Sequence, residues 1–104
     1  MATVRKDFDA YKIWYYSRHP YEALIYCYQG TTYVGRMVFF KDDSAIPPNA
    51  NYKSGPSIHY GLSRFNDIIS ILRQEKPLYL FLNLTNLIGI VATDELEPVG
   101  EEES

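Results

Sequence analysis

The sequence predicts a single α+β domain with an antiparallel sheet of about four strands, one packing helix and a C-terminal apolar hairpin. Runs rich in Tyr, Val and Ile alternate with turn residues, which is typical of strands. A single later segment has apolar residues at helical spacing, and two further apolar runs follow it. This order of four strands, a helix and two strands indicates an α+β fold with one main sheet.

Three strands are predicted in the first part of the chain, over residues 11–17, 21–28 and 31–41. A long polar loop over 42–57 and a short strand over 57–60 follow them. Gln29 and Gly30 are expected to form a tight hairpin turn, because glycine adopts positive φ without steric cost. With this turn, Tyr26 faces Tyr33 across the hairpin.

The predicted register divides the side chains of this hairpin between two faces of the sheet. The more aliphatic face is assigned to the core and holds Ala23, Ile25, Cys27, Val34, Val38 and Phe40. The other face holds Tyr26, Tyr28, Tyr33, Met37 and Phe39. Arg36 falls on the face assigned to the core, where a charge must lie at the rim or be paired.

A helix is predicted to begin with Ser63 as its N-cap and to end at residue 75 or 76, before Pro77. The positions at helical spacing, predicted to face the core, are Phe65, Ile68, Ile69 and Leu72. Residues 78–82 and 87–93 are expected to form a hairpin around 83–86. Both of these strands are apolar at nearly every position, which indicates burial on two faces and favours a homodimer.

Charge is distributed unevenly along the chain, whose net value is −3. Residues 94–104 contain six acids and no base, whereas residues 1–93 contain 10 basic and 7 acidic side chains. We expect a domain over 1–96 and a disordered acidic tail over 97–104. The sequence has no long apolar run and no apolar segment near its start, so we expect no membrane association and a cytoplasmic location.

No motif in the sequence predicts catalysis or metal binding. Cys27 is the single cysteine and lies within a strand, where a buried thiol is commoner than a nucleophile. His19 and His59 have no metal-ligand spacing, and the glycines form no phosphate-binding loop. We therefore expect no catalytic residues, no metal site and no cofactor, and a protein that binds without being an enzyme.

About half of the chain resembles the single-stranded-DNA-binding fold of the positive cofactor four coactivators, whose strand order is similar to that of the Whirly and Pur-alpha proteins. The matching stretch comprises Tyr28-Gln29-Gly30, residues 34–40, the loop over 47–55, Ser57-Ile58, Gly61-Leu62-Ser63 and Phe65. The resemblance implies a dimer that binds single-stranded nucleic acid. The chain departs from the family in having few bases along its strands and in continuing past the helix with residues 78–93.

The aromatic residues carry the functional hypothesis, because rings on a sheet face can stack on unpaired bases. The residues expected to bind nucleic acid are Trp14, Tyr16, Tyr26, Tyr28, Tyr33, Arg36, Lys41 and Lys53, with Lys12 and Arg18 as further phosphate contacts. The acidic tail is expected to compete for the same face. The alternative is a module for protein–protein interaction or homodimerisation, since Tyr, Trp and Met are also enriched at protein interfaces.

Overall fold

The computed structural model describes residues 2–17, 20–74 and 77–93. Within these residues the chain forms eight strands and one α-helix, which confirms the α+β class. The elements are β1 Thr3–Phe8, β2 Ala10–Tyr15, β3 Ala23–Gln29, β4 Thr32–Phe40, β5 Ala50–Tyr52, β6 Gly55–Gly61, α1 Phe65–Gln74, β7 Leu78–Asn83 and β8 Gly89–Thr93. The predicted boundary at residue 96 and the acidic tail lie outside the described residues.

The strands form a three-stranded sheet in the order β1-β7-β8 and a five-stranded sheet in the order β2-β3-β4-β6-β5. All pairings are antiparallel except that of β4 with β6, which is parallel because the chain returns through a loop and β5 before entering β6. Neither β1 nor β5 was predicted from the sequence. The predicted hairpin after the helix is confirmed as β7 and β8.

The core lies between the two sheets, with α1 packed beside it. The five-stranded sheet contributes Ala23, Ile25, Cys27, Met37, Phe39 and Ile58, and β7 contributes alternate leucines, Leu78, Leu80 and Leu82. Phe39 is fully buried, with its ring stacked on Tyr60 at 5.6 Å and edge-to-face with Phe65 at 5.0 Å. Burying a phenylalanine side chain in this way contributes about 1.5–3 kcal/mol.

A β-bulge in the hairpin of β3 and β4 makes the predicted register wrong. The turn is Gly30-Thr31, with Gly30 at φ 64°, and Gln29 pairs with Thr32. The pairing then shifts by one residue between Cys27 and Tyr28. A slip of one residue exchanges the two faces of a strand, so the predicted assignment of faces fails along most of β4.

The bulge moves Met37 and Phe39 into the core, where both are fully buried, although the sequence placed them on the opposite face. Arg36 and Val38 pair with Tyr26 and Leu24, which point outward from β3, and Phe40 lies two residues after Val38 on the same strand. All three therefore lie on the face away from the core. The predicted core positions Ala23, Ile25 and Cys27 are confirmed, and Val34 packs against the core.

The start of the helix also differs from the prediction. Ser63 lies in a 3-10 turn, Leu62–Arg64, that precedes α1, and its backbone N–H donates to Asp42 Oδ1 at 3.0 Å. Ser63 is therefore not the N-cap. The predicted buried face is confirmed, since Ile68 and Leu72 are buried and Phe65 and Ile69 pack on the core. Among the described residues, no helix has the length and apolarity needed to cross a membrane.

Candidate functional site

The face of the five-stranded sheet that points away from α1 and the core is here called the outer face. Cross-strand pairing places Lys12 of β2, Tyr26 of β3, Arg36 of β4 and Ser57 of β6 side by side across it. Side chains at directly paired positions share a face and contact one another. These four residues form what we call the central row, in which a tyrosine lies between two cations.

Aromatic rings surround the central row on both sides. Tyr33 contacts Tyr28 at 5.9 Å and Tyr26 at 5.7 Å between ring centroids. Tyr26 in turn meets Trp14 edge-to-face at 5.6 Å, and Trp14 lies 6.4 Å from Tyr16. The structure therefore brings all five rings that the sequence analysis selected into one connected cluster.

The cluster continues over the part of the sheet beyond Trp14. Tyr21, just before β3, contacts Tyr16 at 5.5 Å and Phe40 at 5.8 Å, and Phe40 contacts the His59 ring at 5.4 Å. Leu24 and Val38 lie on the same outer face but are 0% and 1% exposed. Their burial shows that the surrounding side chains pack closely over them, so the aromatic rings of the outer face form a continuous packed layer.

Two rings on the outer face remain half exposed, Trp14 at 49% and Tyr52 at 50%. Tyr52 belongs to β5 and lies beside the central row, with the Arg36 guanidinium carbon 5.6 Å from its ring centroid. Sequence analysis missed Tyr52 because β5 fell inside the predicted polar loop. The sequence indicates only the turn that follows it, Lys53-Ser54-Gly55, because a strand of three residues is too short to show alternation.

The charges on the strands of the outer face are all positive. Lys12 and Arg36 lie at outward strand positions, and no outward position of β2 to β6 holds an acid. The Lys12 ammonium lies 5.5 Å from the centre of the Tyr28 ring. Burial raises the pKa of the Tyr33 hydroxyl, which Arg36 partly offsets, so Tyr33 is neutral at physiological pH. These strand positions thus combine neutral rings with two cations, and an acid, Glu22, lies beyond them along the sheet, opposite Tyr16 just before β3.

Arg36 is held at one end and unpaired at the other. Its Nε donates a hydrogen bond to Ser57 Oγ at 2.9 Å. Across the described part of the chain, no carboxylate lies within ion-pair distance of Arg36, and its Nη atoms make no hydrogen bond. A partly buried arginine normally has a partner for its charge. The free ends of this guanidinium therefore form a group suited to an anion, and residues 2–17, 20–74 and 77–93 supply none to it.

Ser57 and His59 lie two residues apart on β6 and therefore share the outer face. Ser57 Oγ lies 2.8 Å from His59 Nε2, and His59 Nδ1 lies 3.0 Å from the Pro47 carbonyl oxygen. The carbonyl only accepts, so Nδ1 carries the proton and Ser57 donates to Nε2. Burial, more than the nearby charge of Arg36, lowers the pKa of His59, so the ring is neutral near pH 7.

A serine beside a neutral histidine has the arrangement of an activated nucleophile. Ser57, however, is completely buried, and its oxygen already accepts a hydrogen bond from Arg36. A substrate therefore has no path to this oxygen, and the pair acts as a support for the guanidinium. Sequence analysis missed the pair, although a Ser-x-His pattern in a strand places both side chains on one face.

The remaining candidate residues lie away from the central row. Lys41 follows the end of β4, whereas Lys53 lies in the turn between β5 and β6 near the opposite end of the strand pair, and both are exposed. Arg18 and His19 lie outside the described residues. Cys27 is buried on the core side, and burial raises its pKa to about 12, so its thiol stays protonated.

Metal-ligating side chains do not gather in groups of three or more within residues 2–17, 20–74 and 77–93.

No family model matches this chain, and comparison with curated proteins and with solved structures yields no match. The resemblance to the positive cofactor four coactivators therefore stays a prediction, and the outer face is the part of the molecule that bears on function.

Proposed function

We propose that the protein is a non-catalytic domain that binds single-stranded nucleic acid on its outer face. The observation that carries this proposal is Arg36, whose Nε is fixed by Ser57 while its Nη atoms have no acidic partner in the described residues. An anchored, unpaired guanidinium beside tyrosine rings suits a chain of phosphates and bases, because it can bind phosphate with two parallel hydrogen bonds.

The central row gives the phosphates two contacts. Lys12 and Arg36 lie on β2 and β4 with β3 between them, so their backbones are about 10 Å apart at the usual strand spacing. A strand of nucleic acid crossing the sheet meets both cations and passes the ring of Tyr26. Phosphate contacts of this kind supply much of the affinity and make binding sensitive to salt.

The half-exposed rings supply the stacking surfaces. Trp14 lies on β2 and Tyr52 on β5, which are the two end strands of the five-stranded sheet. Stacking on an aromatic side chain is worth about 1–3 kcal/mol per base. Bases within a duplex are already stacked and paired, so such a surface favours single strands. Tyr33 contacts both Tyr26 and Tyr28, and these three partly buried rings extend the aromatic surface between the two stacking positions.

The test is a titration of a labelled oligothymidine of about 16 nucleotides, followed by fluorescence anisotropy at low and moderate salt. Trp14 is the single tryptophan of the chain, so its emission reports directly on the outer face. We expect binding that weakens as salt rises, together with quenching of Trp14. An absence of binding at low salt would refute the proposal.

The matched control uses the neighbouring residue on the same strand. Tyr15 is 62% exposed and points to the opposite side of β2, where it contacts Phe65 at 5.3 Å. Trp14→Ala is expected to weaken binding of the labelled oligonucleotide about tenfold, consistent with the loss of one stacked base. Tyr15→Ala is expected to leave affinity unchanged. Equal losses in the two variants would show that the oligonucleotide does not bind through the outer face.

Homodimerisation is the second candidate, and a different surface favours it. The tip of the β7–β8 hairpin exposes Ile88 at 60% and Ile90 at 42%, with no charged residue from Asn83 to Thr93. Within the described residues β8 is the end strand of its sheet. An uncharged end strand can pair with the same strand of a second copy around a two-fold axis.

Sedimentation velocity tests the homodimer directly. We expect the chain to sediment as a dimer and Ile88→Lys to convert it to a monomer, because a charge at the pairing surface opposes association. Ile46, which is 41% exposed in the loop before β5, gives the matched control Ile46→Lys. A chain that stays monomeric as its concentration is raised would exclude this candidate.

The cytoplasmic location stays a prediction.

A further inference from the structure

We infer that Ser57 and His59 are positioning residues for Arg36, and that a proton on His59 releases the guanidinium from its phosphate-binding geometry. The inference rests on the proposed function and adds to it a dependence of binding on pH. It is carried by a continuous series of contacts that runs from the loop before β5 to the central row.

The series begins at Pro47, whose carbonyl oxygen accepts a hydrogen bond from His59 Nδ1 at 3.0 Å. Asn49 holds the same residue from the backbone side, since its Oδ1 accepts the His59 backbone N–H at 2.6 Å. The position and tautomer of the ring are therefore fixed from two sides. In this tautomer only Nε2 can accept, and it accepts the hydroxyl proton of Ser57.

Ser57 then directs its oxygen lone pairs away from His59 and toward Arg36. Its hydroxyl proton is used by Nε2 at 2.8 Å, so Oγ is an acceptor for Arg36 Nε at 2.9 Å. Ser57 is fully buried, so water does not replace either contact. The guanidinium is planar, so fixing Nε also fixes the direction of both Nη groups. The ring of Tyr52 limits its movement on one side.

A proton on Nε2 reverses this arrangement. The protonated ring donates at both nitrogens, so it no longer accepts from Ser57, whose hydroxyl loses its acceptor. The nearby charged group that acts on His59 is Arg36 on β4, and its positive charge repels a protonated ring. On the loop side Pro47 and Asn49 are neutral, and Phe40 presents an uncharged ring. Ser57 Oγ would then meet two cationic donors, His59 Nε2 and Arg36 Nε, while its own proton has no acceptor in a fully buried site. Repulsion between the two cations and the unpaired hydroxyl together displace Arg36 when His59 becomes charged.

A double-mutant cycle distinguishes positioning from a general effect on the fold. Ser57→Ala is expected to weaken oligothymidine binding about fivefold and Arg36→Gln about tenfold, at a pH where His59 is neutral. In the Arg36→Gln background, Ser57→Ala should then have almost no further effect, because Ser57 acts through Arg36. Additive losses in the double variant would overturn the inference.

The pH profile supplies the second test. Affinity of the unmodified chain should be constant from about pH 8 to about 6.5 and should fall below that range, as His59 takes up a proton. In His59→Gln, which has no titrating side chain at position 59, the fall should disappear. An affinity that rises on acidification equally in both proteins would show that added positive charge alone governs binding, and would contradict the release of Arg36.

A measurement without nucleic acid separates failure of this inference from failure of the proposed function. The Arg36 Nε–H signal in a nitrogen–proton NMR spectrum should exchange slowly with water, because Ser57 accepts it in a buried site. At constant pH, Ser57→Ala should accelerate that exchange. On acidification, the protection of this proton relative to a free arginine side chain at the same pH should fall, because base-catalysed exchange of the free side chain itself slows as pH drops. If the signal behaves in this way but no oligonucleotide binds, the positioning is correct and the ligand is wrong. If the signal exchanges rapidly in the unmodified chain, the positioning itself is refuted.

Discussion

Tyr26 and Arg36 lie directly opposite each other on β3 and β4, on the side of the sheet that faces away from the core. Their pairing depends on the bulge between Cys27 and Tyr28, which shifts β4 by one residue. Without the bulge, Gly35 would pair with Tyr26, Arg36 would point toward the core and Met37 would point outward. A single irregularity in the hairpin therefore places the cation among the rings and gives the core its residues from β4.

Two adjacent phenylalanines on β4 test this arrangement of faces. Phe39→Ala removes a fully buried ring that contacts Tyr60 and Phe65, and we expect a loss of about 3–5 kcal/mol in the free energy of unfolding. Phe40 lies on the partly exposed outer face, so Phe40→Ala should cost about half as much or less. Urea unfolding of both variants measures the difference. A larger loss for Phe40→Ala would contradict the observed register.

Two glycines with positive φ give a second pair of variants. Gly55, between β5 and β6, has φ 137°, and a Cβ there would overlap the Val34 carbonyl next to the bulge. We expect Gly55→Ala to destabilise the fold by about 3 kcal/mol, because strain and overlap act together. Gly30, at φ 64°, has no atom within 4 Å of a built Cβ, so Gly30→Asn should cost less than about 1 kcal/mol. Thermal unfolding of both variants checks the contrast, which equal losses would contradict.

The sequence predicts the secondary-structure elements of this fold better than the register of the strands and the side chains that point to the core. Periodicity correctly identified Ile68 and Leu72 as buried, because a helix of regular pitch relates spacing to burial directly. A strand has the same simple relation only while its register is regular. The bulge adds one residue to β4 beside Gly35. Glycine inside a strand often marks a bulge, but the predicted register treated β4 as regular. For this reason Arg36 was placed on the wrong face, even though it was named as a candidate residue.

The parts of the site that sequence analysis missed depend on contacts distant in the chain. Ser57 and His59 become informative only when β6 pairs in parallel with β4 and brings Ser57 beside Arg36. Tyr52 belongs to a strand of three residues, which is too short to produce a pattern of alternation. The aromatic residues of β2 to β4 were identified because alternation within a single strand is a local property.

Replacing Arg36 tests the electrostatic part of the proposed interface. Arg36→Gln should lower the affinity for oligothymidine about tenfold at low salt and reduce the slope of log affinity against log salt by about 0.7, which corresponds to one lost phosphate contact on a single strand. Arg73 is exposed on α1, on the opposite side of the sheet, so Arg73→Gln is the matched control and should change neither quantity. Anisotropy titrations at several salt concentrations provide both numbers. A slope that is unchanged in Arg36→Gln would show that Arg36 does not contact phosphate.

Acid should destabilise the fold through His59. Burial, as the largest cause, lowers the pKa of His59 below its ordinary value, so the unfolded chain binds a proton more readily than the folded one. The stability that the neutral ring provides is therefore complete above about pH 6.5, the usual value of an unfolded histidine, and is lost as pH falls through the lowered pKa. Urea unfolding from about pH 8 to about pH 5 should show the advantage of the unmodified chain over His59→Gln shrinking in that window. The comparison between the two proteins cancels the carboxylates and His19, which are common to both. A difference in stability that is independent of pH would mean that His59 has the same pKa in the folded and unfolded chains.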